Sequence, residues 1–169
     1  VINAAGCGST LVEYGELLKD DPTWAERAAA FSAKVKDLVT WLDDSRFTVS
    51  GSGEKVTYHD ACHLCHAQGI SVEPRDLVKA KSGGGFVELA ESDLCCGSAG
   101  SYNLTEPEMA NRLQQRKVRN IIDSGAEVVV TTNPGCLLQI QTGLRKAGAE
   151  HIRAVHIADY LLEGETGEG

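Results

Sequence analysis

The chain has 169 residues, of which 42% are hydrophobic and 24% charged, so it is long enough to form one domain with its own core. Its formal net charge of −8 argues against nucleic-acid binding, because that role depends on a basic surface. No apolar run approaches the roughly 18 residues that span a bilayer, and no basic cluster marks a membrane surface, so we expect no direct membrane insertion.

The first residues resemble a later part of the chain. Residues 1–8, "VINAAGCG", have the same order as residues 130–137, "VTTNPGCL": an apolar strand end, an asparagine, a small turn, a glycine and a cysteine. This echo predicts that residues 1–8 are the end of a preceding copy of one module. Because the sequence also does not begin with Met, we expect it to be part of a longer protein.

Residues 9–50 are predicted to be a helical connector. Leucine and valine side chains at residues 9–18 are spaced as in a short helix. Asp21 and Pro22 are a suitable N-cap and first-turn pair for a second helix that runs to about Asp43. The polar, glycine-containing stretch 45–54 then predicts a module boundary.

From Lys55 the sequence repeats the order strand, loop, helix. Strands are predicted at residues 55–59, 86–89, 126–132 and 153–157, and helices at residues 73–80, 105–125, 134–146 and 158–164. Thr105 and Glu108 form a capping box for the longest helix, and Gly125 is its expected C-cap. This alternation predicts an α/β fold for residues 55–163, with a mostly parallel sheet and helices on both faces. Residues 164–169 are predicted to be a disordered tail.

Five of the six cysteines follow strands of this predicted sheet. Cys62 and Cys65 follow the first strand, the adjacent pair Cys95 and Cys96 follows the second, and Cys136 follows the third. Because the carboxyl ends of parallel strands lie at one edge of a sheet, we expect the cysteine-bearing loops to meet there. Adjacent Cα atoms are only about 3.8 Å apart, so a disulfide between neighbours would be strained. The adjacent pair is better suited to binding different metal ions of one cluster.

Several chemistries remain open from the residues alone. Thiolates bind iron–sulfur clusters, zinc or copper(I), and a structural zinc site commonly uses two CxxC motifs where this chain has one. A structural zinc domain and a thiol–disulfide enzyme are the alternatives to an iron–sulfur module. Three histidines flank Cys62, and we interpret them as hydrogen-bonding groups rather than as ligands: His59, His63 and His66. Asp60 is interpreted as a turn-former.

Three segments of the chain resemble the cysteine-rich CCG domain. They are "HDACHLCHAQGI", "ESDLCCGSAGSYNL" and "TTNPGCLLQIQTGL". This domain occurs, usually twice, in one of the subunits of heterodisulfide reductases and in iron–sulfur subunits of flavin-linked dehydrogenases. The resemblance is strongest to the second CCG domain of iron–sulfur subunits of the glycolate oxidase (glycolate dehydrogenase) type, and it covers residues 1 to about 163.

The resemblance implies a ligand set for a [4Fe–4S] cluster. That set is Cys62, Cys95, Cys96 and Cys136, with Cys65 as a candidate extra ligand and Cys7 as a ligand of the preceding module's cluster. Asn133 stands where the family pattern has the first cysteine of a final CxxC, so the resemblance leaves a cubane and a noncubane cluster both open. A fragment on its own is alternatively expected to hold zinc or no metal.

The resemblance also implies a role in electron transfer. Flavin-containing dehydrogenase subunits would oxidise glycolate or a related 2-hydroxy acid, and this module would pass the electrons toward a quinone-type acceptor. The expected partners are those subunits, together with ferredoxin-like and first CCG regions of the same chain. The expected location is the cytoplasm, with membrane association only through the complex. We expect no catalytic residue in this part of the chain and no glycolate oxidation by it alone. Disulfide reduction of the heterodisulfide reductase type is the remaining alternative.

Overall fold

The centre of the fold is a parallel sheet of three strands. The structure, a computed structural model, describes residues 1–44, 49, 51–98 and 100–164. The strands are β1 (Val56–His59), β2 (Val128–Thr131) and β3 (Arg153–His156), in the order β1-β2-β3. All four residues of β2 are buried, as expected for a central strand of a covered parallel sheet. The prediction of an α/β fold with a parallel sheet is therefore confirmed.

Helices precede, connect and follow the strands. Before β1 lie α1 (Ala5–Leu17), α2 (Ala25–Ser32) and α3 (Leu38–Asp44). Between β1 and β2 lie a π-helix (His63–Ala67), α4 (Val72–Ser82), α5 (Tyr102–Thr105) and α6 (Pro107–Ser124). Helix α7 (Pro134–Lys146) connects β2 to β3, and α8 (Ile157–Leu162) follows β3. Within the described ranges, none of these helices combines the length and the apolar character that crossing a membrane requires.

The single helix predicted from Pro22 to about Asp43 is wrong, because two helices separated by a turn occupy this region. The first residues of the chain cause the break: Ile2 N–H donates to Lys36 O at 2.9 Å, and Leu38 N–H donates to Ile2 O at 2.8 Å. Asp21 does act as a cap, but its carboxylate accepts from backbone N–H groups within a turn, at 2.8 and 3.1 Å, so that α2 begins only at Ala25.

The strand predicted at residues 86–89 is also wrong beyond its first residue. Phe86 forms an isolated parallel bridge with Val56, and Val87 N–H donates to Val56 O at 2.8 Å. The Thr57 hydroxyl donates to Val87 O at 2.8 Å. In a continued parallel ladder, this carbonyl would instead accept a hydrogen bond from a backbone N–H of β1. The chain therefore leaves the sheet well before the adjacent cysteines.

The longest helix starts later than predicted. The capping box of Thr105 and Glu108 is wrong: α6 begins at Pro107 after Glu106, without a side-chain cap. Proline suits this first position because its fixed φ is helical and its missing N–H would be unpaired there. The end of the helix is confirmed, since Gly125 follows it in the left-handed conformation with φ of 65°.

The predicted division of the chain falls partly on residues that the structure does not describe. Residues 45–48 and 50 of the predicted boundary, and 165–169 of the predicted tail, lie outside the described ranges. The short helix predicted at residues 9–18 is present, but it begins at Ala5. Helix α1 contacts the π-helix and α3 contacts α4, so the N-terminal helices pack directly on the cysteine-bearing part of the fold.

A glycine allows α6 and α7 to approach closely, and this generates a stability prediction. A Cβ atom at Gly143 would lie 2.6 Å from Val118 Cγ2 and 2.8 Å from Gln114 Cγ. We expect Gly143→Ala to lower the free energy of unfolding in urea by about 1–3 kcal/mol through overpacking. In an uncrowded helix, replacing glycine by alanine normally raises the free energy of unfolding by about 1 kcal/mol.

Gly6→Ala in α1 is the control, because its Cβ would meet nothing nearer than Asn133 Oδ1 at 3.9 Å. We expect this variant to show no comparable loss of unfolding free energy. A Gly143→Ala protein at least as stable as the unsubstituted chain would contradict the packing described for α6 and α7.

Candidate metal centre

Four cysteine sulfurs that are distant in sequence meet at the carboxyl edge of the sheet. Cys62 immediately precedes the π-helix after β1, and Cys136 lies in the first turn of α7 after β2. Cys95 and Cys96 lie in the loop that precedes α5. Side-chain hydrogen bonds link the thiols in series: Cys62 donates to Cys95, and the single S–H of Cys96 is shared between Cys95 and Cys136. The structure therefore brings together the four sulfurs that the resemblance implies as ligands.

The pKa values of the thiols in this series are shifted in alternating directions. Hydrogen bonds from Cys62 and Cys96 hold the pKa of Cys95 well below its usual range, and a hydrogen bond from Cys96 lowers the pKa of Cys136 against the effect of burial. The hydrogen bond to Cys95, followed by burial, raises the pKa of Cys62. The bonds to Cys136 and Cys95, followed by burial, raise the pKa of Cys96. Cys95 and Cys136 are therefore the thiols that lose their protons most readily, and metal binding would also require the loss of the protons on Cys62 and Cys96.

Further N–H donors face the two thiolates. Gly97 N–H donates to Cys95 Sγ at 3.3 Å, and the side-chain amide of Asn133 donates to Cys136 Sγ at 3.5 Å. Cys136 also lies at the N-terminus of α7, where unpaired backbone N–H groups favour negative charge. His63 Nδ1 lies 3.6 Å from Cys62 Sγ. The N–H groups of Gly97, of Asn133 and of the first turn of α7 stabilise deprotonated sulfur, which is the form that binds metal.

Helix α6 holds the loop that carries the adjacent cysteines. Lys117 is fully buried, and its ammonium donates to the carbonyls of Glu91 and Ser92, at 3.1 Å for Ser92. Burial lowers the pKa of Lys117 to about 8. Arg116 forms a forked ion pair with the Glu91 carboxylate, and Glu91 has a positive φ of 52° that is rare for a residue with a side chain. Side chains from α6 thus hold this strained loop in place.

The loop continues past α6 at a point where only glycine fits. Gly97 has φ of 91°, and a Cβ atom there would lie 2.3 Å from Ala110 O in α6. Both the backbone conformation and the close approach exclude a side chain. The glycine after the two cysteines is therefore required by backbone geometry, independently of any metal.

A buried ion pair connects the same loop to β1. The Asp60 carboxylate, which the sequence suggested only as a turn-former, accepts two hydrogen bonds from the Arg75 guanidinium at 2.7 and 2.6 Å. Arg75 also donates to Ser92 Oγ at 2.8 Å. Sequence reasoning missed Arg75 and Lys117, because nothing in the helical pattern distinguishes them from surface cations.

His59 lies at the base of the cysteine cluster. It ends β1 with no exposed surface, and its Nδ1 lies 3.0 Å from Ser92 O. Its Nε2 makes no hydrogen bond of ordinary geometry, although it is buried. One His59 ring nitrogen and the sulfurs of Cys96 and Cys136 lie within 4.8 Å of one another. The other two neighbouring histidines lie closer to the surface of the site, and His66 Nε2 is 3.4 Å from Asp93 O.

A cavity of about 440 Å³ opens beside the sulfurs, and Cys7 lines it together with Cys62, Cys95 and Cys136. Cys7 is exposed in the first turn of α1, as Cys136 lies in the first turn of α7. The two helix starts are in contact, since Gly6 N–H donates to Asn133 Oδ1 at 3.5 Å.

Cys65 differs from these cysteines: its pKa is raised by burial and by two carboxylates, and no sulfur contributes.

Comparison with known proteins identifies similar sequences. The family model for the cysteine-rich domain, CCG, matches residues 56–141. The chain is 45% identical over 168 residues to the probable glycolate oxidase iron-sulfur subunit of Bacillus subtilis (strain 168), covering 96% of this chain and 38% of that protein. It is 37% identical over 167 residues to the glycolate oxidase iron-sulfur subunit of Escherichia coli (strain K12), covering 96% of this chain and 39% of that protein.

A further relative is lactate utilization protein A of Halalkalibacterium halodurans. It is 32% identical over 169 residues, and the match covers 98% of this chain and 69% of that protein. The chain thus spans less than two fifths of the length of each glycolate oxidase relative, at 38% and 39%, and a larger share of the lactate utilization protein.

The thiolate at Cys95 generates a prediction for the metal-free chain. We expect iodoacetamide to alkylate Cys95 at a rate that changes little between pH 5 and pH 7, because its lowered pKa keeps it ionised throughout. N-acetylcysteine in the same tube, with an ordinary thiol pKa of about 8.5, should react roughly tenfold faster per pH unit. Peptide mass spectrometry measures both rates, and a Cys95→Ser variant confirms the assignment of the peptide. A tenfold rise per pH unit at Cys95 would contradict the lowered pKa of this thiol.

Proposed function

Since this chain belongs to the cysteine-rich CCG domain family, we propose that it is the electron-transfer iron–sulfur module of a flavin-linked 2-hydroxy acid dehydrogenase. The observation that carries the proposal is the convergence of Cys62, Cys95, Cys96 and Cys136 in one hydrogen-bonded set. These four residues come from three separate segments of the fold. The relatives named for glycolate oxidase and lactate utilization support the reaction class.

The donor set fits a cluster of several irons. Thiolate sulfur is the ligand that iron–sulfur clusters use, and four thiolates are sufficient for one [4Fe–4S] cluster. Two adjacent cysteines reach different irons more readily than they chelate one small ion. When bound, such a cluster accepts and releases single electrons. Whether it is cubane or noncubane is left open by the proposal, because Asn133 takes the place of the first cysteine of the family's final CxxC.

The surrounding residues tune this electron transfer. The N–H groups of Gly97 and Asn133 donate to the sulfurs, and such bonds favour the reduced, more negative cluster. The buried ammonium of Lys117 acts electrostatically on Cys96 in the same direction. These groups therefore raise the reduction potential and suit the centre to accept electrons from a flavin.

The rest of the complex is also proposed. Flavin-containing subunits oxidise glycolate, or lactate as the alternative substrate, and the electrons continue to a quinone-type acceptor. Ferredoxin-like and first CCG regions of a longer chain complete the route, and the complex lies in the cytoplasm or associates with the membrane through its other subunits. In this arrangement the module transfers electrons, and the flavin subunits carry out the oxidation.

We assign Cys7 to the cluster of a preceding CCG-type module, of which residues 1–8 are the end. Its position supports this: Cys7 occupies the same place in α1 as Cys136 does in α7, and it lines the same cavity. In this arrangement Cys7 would be a ligand of the preceding module's cluster and not of the cluster held by Cys136.

A structural zinc site is the second candidate. The observation that favours it is the compact group formed by His59, Cys96 and Cys136, whose ligand atoms lie within 4.8 Å of one another. Zinc binds sulfur and imidazole nitrogen in this kind of small tetrahedral site. The cysteines outside this group, Cys62 and Cys95, favour the larger cluster.

Metal analysis after anaerobic reconstitution tests the proposal. We expect a brown protein with about four irons and four sulfides per chain and an EPR signal after reduction. Cys62→Ala should lose most of the iron, because it removes a sulfur of the convergent set. Cys65→Ala is the matched control within the same CxxC motif and should keep the cluster. A colourless protein with less than about one iron, or with stoichiometric zinc after iron-replete anaerobic preparation, would contradict the proposal.

A further inference from the structure

We propose that His59 is a ligand of the metal centre and binds through Nε2 beside Cys96 and Cys136. This inference rests on the proposed iron–sulfur function, to which it adds a nitrogen donor. It concerns a residue that the cysteine pattern does not include. Three observations carry it: the tautomer of the ring, the burial of a nitrogen without a partner, and the grouping of the ring with two sulfurs.

The hydrogen bond at Nδ1 fixes the tautomer of His59. Nδ1 lies 3.0 Å from Ser92 O, and a carbonyl oxygen can only accept, so Nδ1 carries the hydrogen. In the neutral imidazole Nε2 is then left with a free lone pair. Metal-binding histidines commonly have this arrangement, in which a backbone carbonyl orients the ring and raises the basicity of the other nitrogen.

The lone pair of Nε2 is directed into the interior. His59 has no exposed surface, and Nε2 makes no hydrogen bond of ordinary geometry, although the ring acts on the Cys136 sulfur and helps to lower the pKa of that thiol. Leaving a buried polar atom unpaired costs free energy, so most such atoms in folded proteins have a partner. The nearby atoms are the sulfurs of Cys96 and Cys136. These two sulfurs and one ring nitrogen of His59 lie within 4.8 Å of one another.

The spacing of this group suits one shared ion. Tetrahedral ligands at the usual metal–nitrogen and metal–sulfur distances are roughly 3.6–3.8 Å apart. Three atoms within 4.8 Å of one another reach that spacing through small side-chain movements. An iron within reach of Cys96 and Cys136 would therefore be the one to which His59 adds its nitrogen.

Asn133 does not compete for this position, because both ends of its side chain are used elsewhere. Its oxygen accepts from Gly6 N–H at 3.5 Å, and its nitrogen donates to Cys136 Sγ at 3.5 Å. Asn133, at the first cysteine position of the family's final CxxC, thus supports a ligand sulfur without offering a donor atom to metal. His59 lies on the adjacent strand and supplies the fifth donor.

Pulsed EPR on the anaerobically reconstituted and reduced chain tests the inference. The chain is prepared with natural-abundance histidine and with ¹⁵N-histidine. We expect a strong nitrogen hyperfine coupling that changes to the ¹⁵N pattern on labelling. His59→Ala should abolish this coupling, whereas His63→Ala and His66→Ala, matched controls beside the same cysteines, should keep it. The labelled unsubstituted protein needs no variant, so its spectrum remains decisive if His59→Ala fails to fold.

The outcomes separate this inference from the function on which it rests. Iron and sulfide present without a directly bound nitrogen would overturn the assignment of His59 and leave the cluster proposal intact. A chain that binds no iron and sulfide would overturn the proposed function, and Co²⁺ titration then decides the role of His59. In that titration His59→Ala should weaken Co²⁺ binding at least tenfold while His63→Ala does not. Equal Co²⁺ affinity of the two variants would overturn the assignment.

Discussion

The carbonyl oxygen of Ser92 joins the metal centre to the sheet. It accepts from the backbone N–H of Asp60 at 3.1 Å, from His59 Nδ1 at 3.0 Å and from the Lys117 ammonium at 3.1 Å. The first two donors lie at the end of β1 and the third comes from α6, so one buried oxygen connects both elements to the loop of Cys95 and Cys96. Displacement of this loop would free the His59 ring and move the adjacent sulfurs away from Cys136. The geometry of the cysteines therefore depends on a backbone group that carries no metal.

The charges around the centre follow from the same framework. Thiolates in a partly buried site need nearby positive charge, and the fold provides it through the Lys117 ammonium and through the N-terminus of α7. The ion pair of Asp60 and Arg75 adds no net charge but orders the loop. The chain has a formal net charge of −8, so this local positive environment contrasts with its overall charge. It suits the electron-transfer role that we propose for this centre.

The sequence was sufficient for the parts of the fold that depend on local pattern. The valine-rich β2, α7 and the approach of Cys62 to Cys136 follow from hydrophobic periodicity and from the rule for parallel strand ends. The break between α2 and α3 could not be predicted, because it depends on pairing with Ile2, far away in the chain. The tautomer of His59 likewise depends on Ser92, 33 residues further on. The adjacent cysteines reach the site although residues 86–89 form no strand, since helix side chains hold their loop.

The close approach of Gly97 to Ala110 O changes how a motif of two adjacent cysteines should be recognised. In this motif the two cysteines supply the sulfur atoms. The glycine is needed for a steric reason, because α6 lies too close to admit a side chain. A side chain at this position would push α6 outward, and α6 carries Lys117, so a residue without any donor atom would disturb the whole centre. Genome searches that accept any amino acid after the paired cysteines will therefore collect chains unable to assemble such a site. A search that also requires the glycine selects chains whose cysteine-bearing loop can pack against the helix.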